Sequence, residues 1–229
     1  MQVNRTENKI ILNQQEARLM IGRLDQIMQR DRNSTSAGGY EVRSLYFDTL
    51  TDGCVVEKED GLLVHEKFRV RIYGTDDRVI KLESKRKVGE QQVKKSMPIT
   101  REILGELCAG RYSVLLECGD PMGPYFFAKL SRGMRPKSIV QYQRLSFCLD
   151  TNNTRITFDS DIRATESCFD LFQDPLLAHP ILPPELVVME VKFNNFLLGY
   201  IKKTLSTCRK SPSSYSKYAN GRTFYRSMI

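Results

Sequence analysis

Apolar and polar residues alternate along much of this 229-residue chain, and a period of two marks strands with one buried face. The clearest case runs from Glu66 to Lys87. Phe68, Val70 and Ile72 fall on one face of a first strand, and Lys67, Arg69, Arg71 and Tyr73 on the other. On a second strand Ile80 and Leu82 oppose Lys81, Glu83, Lys85 and Lys87. Gly74-Thr75-Asp76-Asp77 supplies turn residues between them. Similar patterns predict strands over 5–12, 40–49, 91–98, 138–150, 155–161 and 186–194, with a weak one near 55–58. Helical spacing appears after Asn13, a favoured cap, over about 14–30, where Leu19, Met20, Leu24, Ile27 and Met28 recur on one side. Further helices are predicted at 100–109, 122–132, 195–207 and 216–227. Asn33–Gly39 reads as a loop, Asn152-Asn153 as a turn, and 164–185 as an irregular, proline-containing connection. No internal repeat or domain-splitting linker interrupts the pattern, so residues 1–229 are expected to form a single domain.

The polar faces have a common character. Arg5, Glu7 and Lys9 share one, and Tyr40, Ser44, Tyr46 and Asp48 share another with Val42. Tyr142, Arg144 and Ser146 share a third, Arg155, Thr157, Asp159 and Asp161 a fourth, and Glu190 and Lys192 a fifth. An open antiparallel sheet with helices over its apolar face would give this pattern. A barrel with a charged lumen satisfies every strand at once and removes exposed edges. The pattern therefore points to an α+β fold, a barrel with helices packed outside and a C-terminal helix. The face of the 66–87 hairpin is basic, with Glu83 as its single carboxylate. Like charges side by side across strands repel, so such a face calls for water or a polyanion.

Charge strengthens the second choice. Lys and Arg number 35 against 27 Asp and Glu, a formal net charge of +8, which favours anionic partners. The basic residues sit at alternate strand positions rather than in a tail. Nucleic acid is disfavoured, because stacking aromatics are not interleaved with the basic strands. The six cysteines are scattered without a C-x-x-C pair and only two histidines are present, so neither a zinc site nor a disulfide framework is implied. His65 and His179 fall outside the charged faces. No apolar run is long enough to span a membrane and no secretory leader is legible. The expected setting is the cytoplasm, with reduced thiols.

Six motifs occur in order: S-L-Y-F-D (44–48), F-R-V-R-I-Y-G (68–74), L-E-S-K-R-K (82–87), Y-Q-R (142–144), M-E-V-K-F (189–193) and S-K-Y-A-N-G (216–221). Together, from Glu7 to Gly221, the chain resembles the VTC domain, the polyphosphate polymerase domain of the vacuolar transporter chaperone family and its stand-alone bacterial relatives, within the triphosphate tunnel metalloenzymes. The resemblance implies an antiparallel β-barrel tunnel (the triphosphate tunnel fold) and transfer of the ATP γ-phosphate to a growing polyphosphate chain, with Mn²⁺ or Mg²⁺. It implies a phosphate-binding set of Lys9, Arg69, Arg71, Lys85, Lys94 or Lys95, Tyr142, Arg144, Arg155, Ser216 and Lys217, to which strand alternation adds Lys67. Of these, Arg69, Arg71, Lys85, Arg144, Arg155 and Lys217 are expected to act at the transferred phosphate. Glu190 matches the family's metal-binding glutamate, with Glu83 or Glu7 as further ligands. Hydrolytic members of the superfamily begin with Glu-x-Glu-x-Lys; here Arg5 replaces the first Glu. Ser214 stands where the polymerase pattern often has a second basic residue.

Phosphoryl transfer needs positioning and charge neutralisation more than covalent work. Arginine forks and mobile lysines supply both. Three functions remain open on the sequence: polyphosphate synthesis from ATP or another nucleoside triphosphate, hydrolysis of triphosphate or tripolyphosphate, and polyphosphate binding without catalysis. Partner proteins are not legible.

Overall fold

The computed structural model describes residues 5–32, 34, 38–89, 91–208 and 211–227. Most of the loop read at Asn33–Gly39, and the side chain of Arg5, lie outside the described residues. The elements run β1 (Arg5–Asn13), α1 (Gln14–Leu24), β2 (Gln29–Arg30), β3 (Tyr40–Asp48), α2 (Gly53–Glu59), β4 (Val64–Tyr73), β5 (Lys81–Val88) and β6 (Gln91–Pro98). They continue with α3 (Arg101–Cys108), α4 (Val114–Glu117), α5 (Gly123–Leu130), β7 (Arg135–Leu149), β8 (Thr154–Thr165), β9 (His179–Pro180), β10 (Leu186–Asn194), α6 (Gly199–Ser206) and α7 (Lys217–Arg226). A 3₁₀ turn at Thr151–Asn153 joins β7 to β8. Two compact units divide the chain, each assembled from three stretches. Residues 1–41, 142–163 and 180–216 make the first, and 42–141, 164–179 and 217–229 the second.

In the first unit the strand order is β1, β10, β8, β7. The antiparallel register puts Lys9, Glu190 and Thr157 in one row across three strands, and Glu7, Lys192 and Arg155 in the next. The opposite face is apolar. Leu12, Phe147, Ile156, Phe158, Met189 and Val191 pack there against Ala17, Met20 and Leu24 of α1 and Ile201 of α6. Asn13 caps α1 by accepting the Glu16 N–H, and Glu16 returns the bond to the Asn13 N–H, a reciprocal box that fixes where the helix begins. The helix expected to reach residue 30 stops at Leu24. Asp25 holds the Arg30 guanidinium through both oxygens, at 2.7 and 2.8 Å. That clamp folds the chain back, so Met28 still reaches the core while residues 29–30 pair with β7.

In the second unit the order is β7, β3, β4, β5, β6. Leu45, Phe68, Val70, Ile72, Leu82 and Met97 form its core with Leu104 and Leu107 of α3 and Phe126 and Leu130 of α5. Thr100 caps α3 through the Ile103 N–H. A Cβ at Gly123 would stand 2.0 Å from the Leu115 carbonyl, so only glycine lets α5 start against α4. Leu171 is wholly buried in this core, and the Arg43 guanidinium donates to the Leu171 and Gln173 carbonyls at 3.1 and 2.5 Å. The connection after β8 is thus pinned. The weak strand expected near 55–58 is instead α2. Asp48 Oδ1 accepts the N–H groups of Thr49 and Cys54, and Thr49 Oγ1 accepts that of Gly53. Those bonds satisfy the amides a helix start leaves open, and Val55 is buried by the turn that follows.

Candidate functional site

The basic face of the second unit lies on β4, β5 and β6. Register places Lys67, Lys85 and Lys94 in one row across three strands, spanning about 10 Å at the usual strand spacing. The next row is Arg69, Glu83 and Ser96, and Arg71 sits beside Lys81. Glu83 is only 2% exposed. Arg69 meets it through Nε at 2.8 Å and Nη2 at 2.7 Å, and Lys94 completes the cage. Burial opposes its charge, but Arg69, Arg71 and Lys94 outweigh burial and hold the Glu83 carboxyl down to about 2. Glu83 was expected to ligate a metal; its oxygens here meet Arg69 and Lys94, and it orients the arginine. Arg71 is buried, its Nε donating to Ser44 Oγ at 3.2 Å.

Lys95 departs from the expected set. It sits on the opposite face of β6, level with Ser84, with Nζ 3.6 Å from the centroid of the Tyr125 ring. Period-two alternation permits only one of Lys94 and Lys95 on the basic face, and that is Lys94. Lys217 opens α7, and its charge reaches Tyr46 together with those of Arg69 and Arg71. The helix is fastened by Tyr218, which donates to Asp48 at 2.8 Å, and by Arg222 and Arg226, which reach Asp52 at 2.6 and 2.8 Å. Ser216, just before the helix, is buried. Tyr46 was not among the expected site residues, although alternation puts it on the same face as Ser44 and register sets it against Arg69.

The charged face of the first unit is a closed network. Arg144 grips Asp159 bidentately, at 2.6 Å from Nε and 2.8 Å from Nη2, and stands 3.9 Å from Glu190. Lys192 lies 2.9 Å from Glu190 and 3.9 Å from Glu7, and Lys9 lies 3.9 and 3.7 Å from the same two carboxylates. Lys9 also donates to the Tyr215 carbonyl at 3.1 Å. Burial disfavours the Arg144 cation, but Asp159, Tyr142 and Glu190 reverse this and raise its pKa well above the ordinary arginine value. Lys192 goes the other way: burial lowers its pKa in spite of Glu190 and Glu7. Tyr142 is buried with the Arg144 guanidinium 5.1 Å from its ring centroid.

Both phosphate contacts expected on this face, Arg144 and Arg155, are paired within the protein. The Arg144 fork meets Asp159. Arg155 is likewise engaged, by Asp31 at 2.7 Å, Ser146 at 2.9 Å and the Tyr40 hydroxyl at 3.1 Å. Asp161 pairs with Arg163. Among the described residues, no cluster of three or more His, Cys, Asp or Glu is arranged for a metal. Glu190 and Glu7 nevertheless suit a hard divalent cation, which takes one or two carboxylates and completes its shell from phosphate oxygens. Beside Glu190 in register, the Thr157 hydroxyl is buried without a hydrogen-bond partner among the described residues, an orphan that a cation or its bound oxygens would satisfy.

The comparisons agree with this architecture. The family model for the VTC domain matches residues 4–225. A putative adenylyl cyclase from Hippeastrum, described as having a dominant triphosphatase activity, superposes with a TM-score of 0.55 at 13% identity, covering 98% of this chain and 96% of its own. A putative adenylate cyclase from Bacillus halodurans gives 0.53 at 11% identity, covering 93% and 95%. Among curated proteins no sequence match is significant. At such identities the structures show the fold, which is the α+β tunnel class that the resemblance implied. With a family model running through nearly every element from β1 to α7, the chain belongs to the VTC domain family.

Proposed function

We propose that this protein is a divalent-metal-dependent phosphotransferase that passes the γ-phosphate of ATP to the end of a polyphosphate chain. The observation that carries the reading is the row Lys67–Lys85–Lys94 beside Arg69 and Arg71. The row lies on a strand face whose cations outnumber its one carboxylate, Glu83, and an extended chain of anionic phosphates matches such a row better than one compact phosphate. In the reaction the bond between the γ-phosphorus and its bridging oxygen breaks, ADP leaves, and a terminal oxygen of the acceptor chain bonds to the transferred phosphorus. Arg69, held by Glu83, and Lys217 at the start of α7 are the residues proposed to bind the phosphates. Glu190 and Glu7 would hold Mn²⁺ or Mg²⁺, which would supply positive charge to phosphate oxygens.

Hydrolysis of triphosphate or tripolyphosphate is the second reading, favoured by the triphosphatase activity described for the Hippeastrum structure. Incubation with ATP and Mn²⁺, with products resolved by chain length, separates the two. Polyphosphate longer than the added primer is expected. Orthophosphate alone would make the protein a hydrolase, and no turnover with retained polyphosphate binding would make it a binding protein.

A further inference from the structure

Tyr46 stands within the cations of the second unit and takes no part in their pairing with carboxylates. Its side chain is 7% exposed. Its ring stacks on Tyr218, centroids 4.6 Å apart and planes 14° apart, and Tyr218 is itself held by Asp48. Arg69 donates to the Tyr46 oxygen from Nη1 at 3.2 Å. Arg71 faces it from the same strand as Arg69, and Lys217 and Tyr218 face it from α7. Arginine and lysine donate only, so none of these cations can take the phenolic proton. Among the described residues no acceptor for that proton is present. A buried hydroxyl whose oxygen is surrounded by donors, and whose own donor is unused, asks for an anionic oxygen.

We propose that Tyr46 donates a hydrogen bond to a non-bridging oxygen of a condensed phosphate bound by Arg69, Arg71 and Lys217, which makes it a substrate-binding residue of this face. The inference rests on the phosphate-binding reading of that face and adds a neutral donor beside its cations. A neutral donor has a use there. It binds an oxygen without adding to the mutual repulsion of the three cations, and the rigid stack orients it without an entropy cost on binding.

The stack also gives a second readout. Burial opposes ionisation of this phenol, but Arg69, Arg71 and Lys217 outweigh it and lower the Tyr46 pKa. Ser44 and Asp48 share its strand face, and Glu83 is bound to the far side of Arg69. A bound polyanion cancels the cations and accepts the proton's hydrogen bond, so it raises that pKa again.

The test is calorimetric titration of tripolyphosphate into the intact protein and into the Tyr46→Phe variant, with the unfolding midpoint measured in parallel. Phenylalanine keeps the stack. Expected is a loss of affinity of roughly tenfold or more, the scale of a charge-assisted hydrogen bond, with the midpoint unchanged. Ultraviolet titration of tyrosinate should show a step below the ordinary tyrosine range in the wild type that moves upward with tripolyphosphate and is missing from the variant. Equal affinity in wild type and variant would overturn the proposal while leaving the basic face a phosphate site. A wild type that binds no tripolyphosphate would overturn both. Should the variant fail to fold, a tyrosinate step in the wild type that ignores bound tripolyphosphate overturns the proposal on its own.

Discussion

The residue scale turns on how each charge is partnered. Arg144 looks from the sequence like a phosphate fork, yet Asp159 is wholly buried against it. Replacing Arg144 by Met leaves that carboxylate without its partner, and a cost of about 3–5 kcal/mol is expected, read by urea unfolding. A loss below about 1 kcal/mol would mean that Asp159 finds another donor. Glu83 makes the complementary case. Its folded pKa is depressed to about 2, so its contribution to stability is complete above the ordinary carboxylate range and is lost as pH falls toward 2. The wild type should lose about 3 kcal/mol more than Glu83→Gln between pH 6 and about pH 2. Parallel stability curves for the two proteins would remove Glu83 from the account. Alternation finds such side chains and assigns their face. It does not say which neighbour neutralises them, because that depends on register between strands far apart in sequence. Tyr46 was missed for the same reason: its partner Arg69 becomes visible only when β3 is laid against β4.

Elements were legible wherever one face is apolar over several residues. Phe68, Val70, Ile72 and Leu82 announce β4 and β5, and all four are buried. α2 was not legible, because its stability comes from the Asp48 and Thr49 side chains that cap it rather than from its own periodicity. The end of α1 was misjudged because Ile27 and Met28 continue the apolar spacing after the backbone has turned away. For α7 the sequence suggested a lysine poised at a helix start, and the structure adds what holds it. Tyr218→Phe removes the donor to a wholly buried Asp48 and should cost about 1–3 kcal/mol in denaturant unfolding. Lys217→Ala, which keeps those anchors, should weaken tripolyphosphate binding with the unfolding midpoint unchanged. If Lys217→Ala lowers the midpoint as much as Tyr218→Phe does, the lysine is a structural member of the helix.

For the molecule as a whole, the excess of positive charge sets how binding responds to salt. Affinity for long polyphosphate should fall by orders of magnitude between about 50 and about 200 mM salt, since each neutralised phosphate releases a counterion. Tripolyphosphate, which engages fewer cations, should show a shallower slope. Equal slopes for the two ligands would confine binding to a few residues and leave the lysine row idle. The interleaving of the units was invisible in the sequence, because no linker or change of composition marks where a stretch leaves one core and enters the other. It bears on synthesis at the ribosome. Asp48 and Tyr218 are 170 residues apart, as are Asp52 and Arg222. At translation rates of about 5–20 residues per second, a nascent chain carries two acidic side chains, later buried, for many seconds before their donors emerge. The second unit therefore completes these contacts only after α7 has left the exit tunnel.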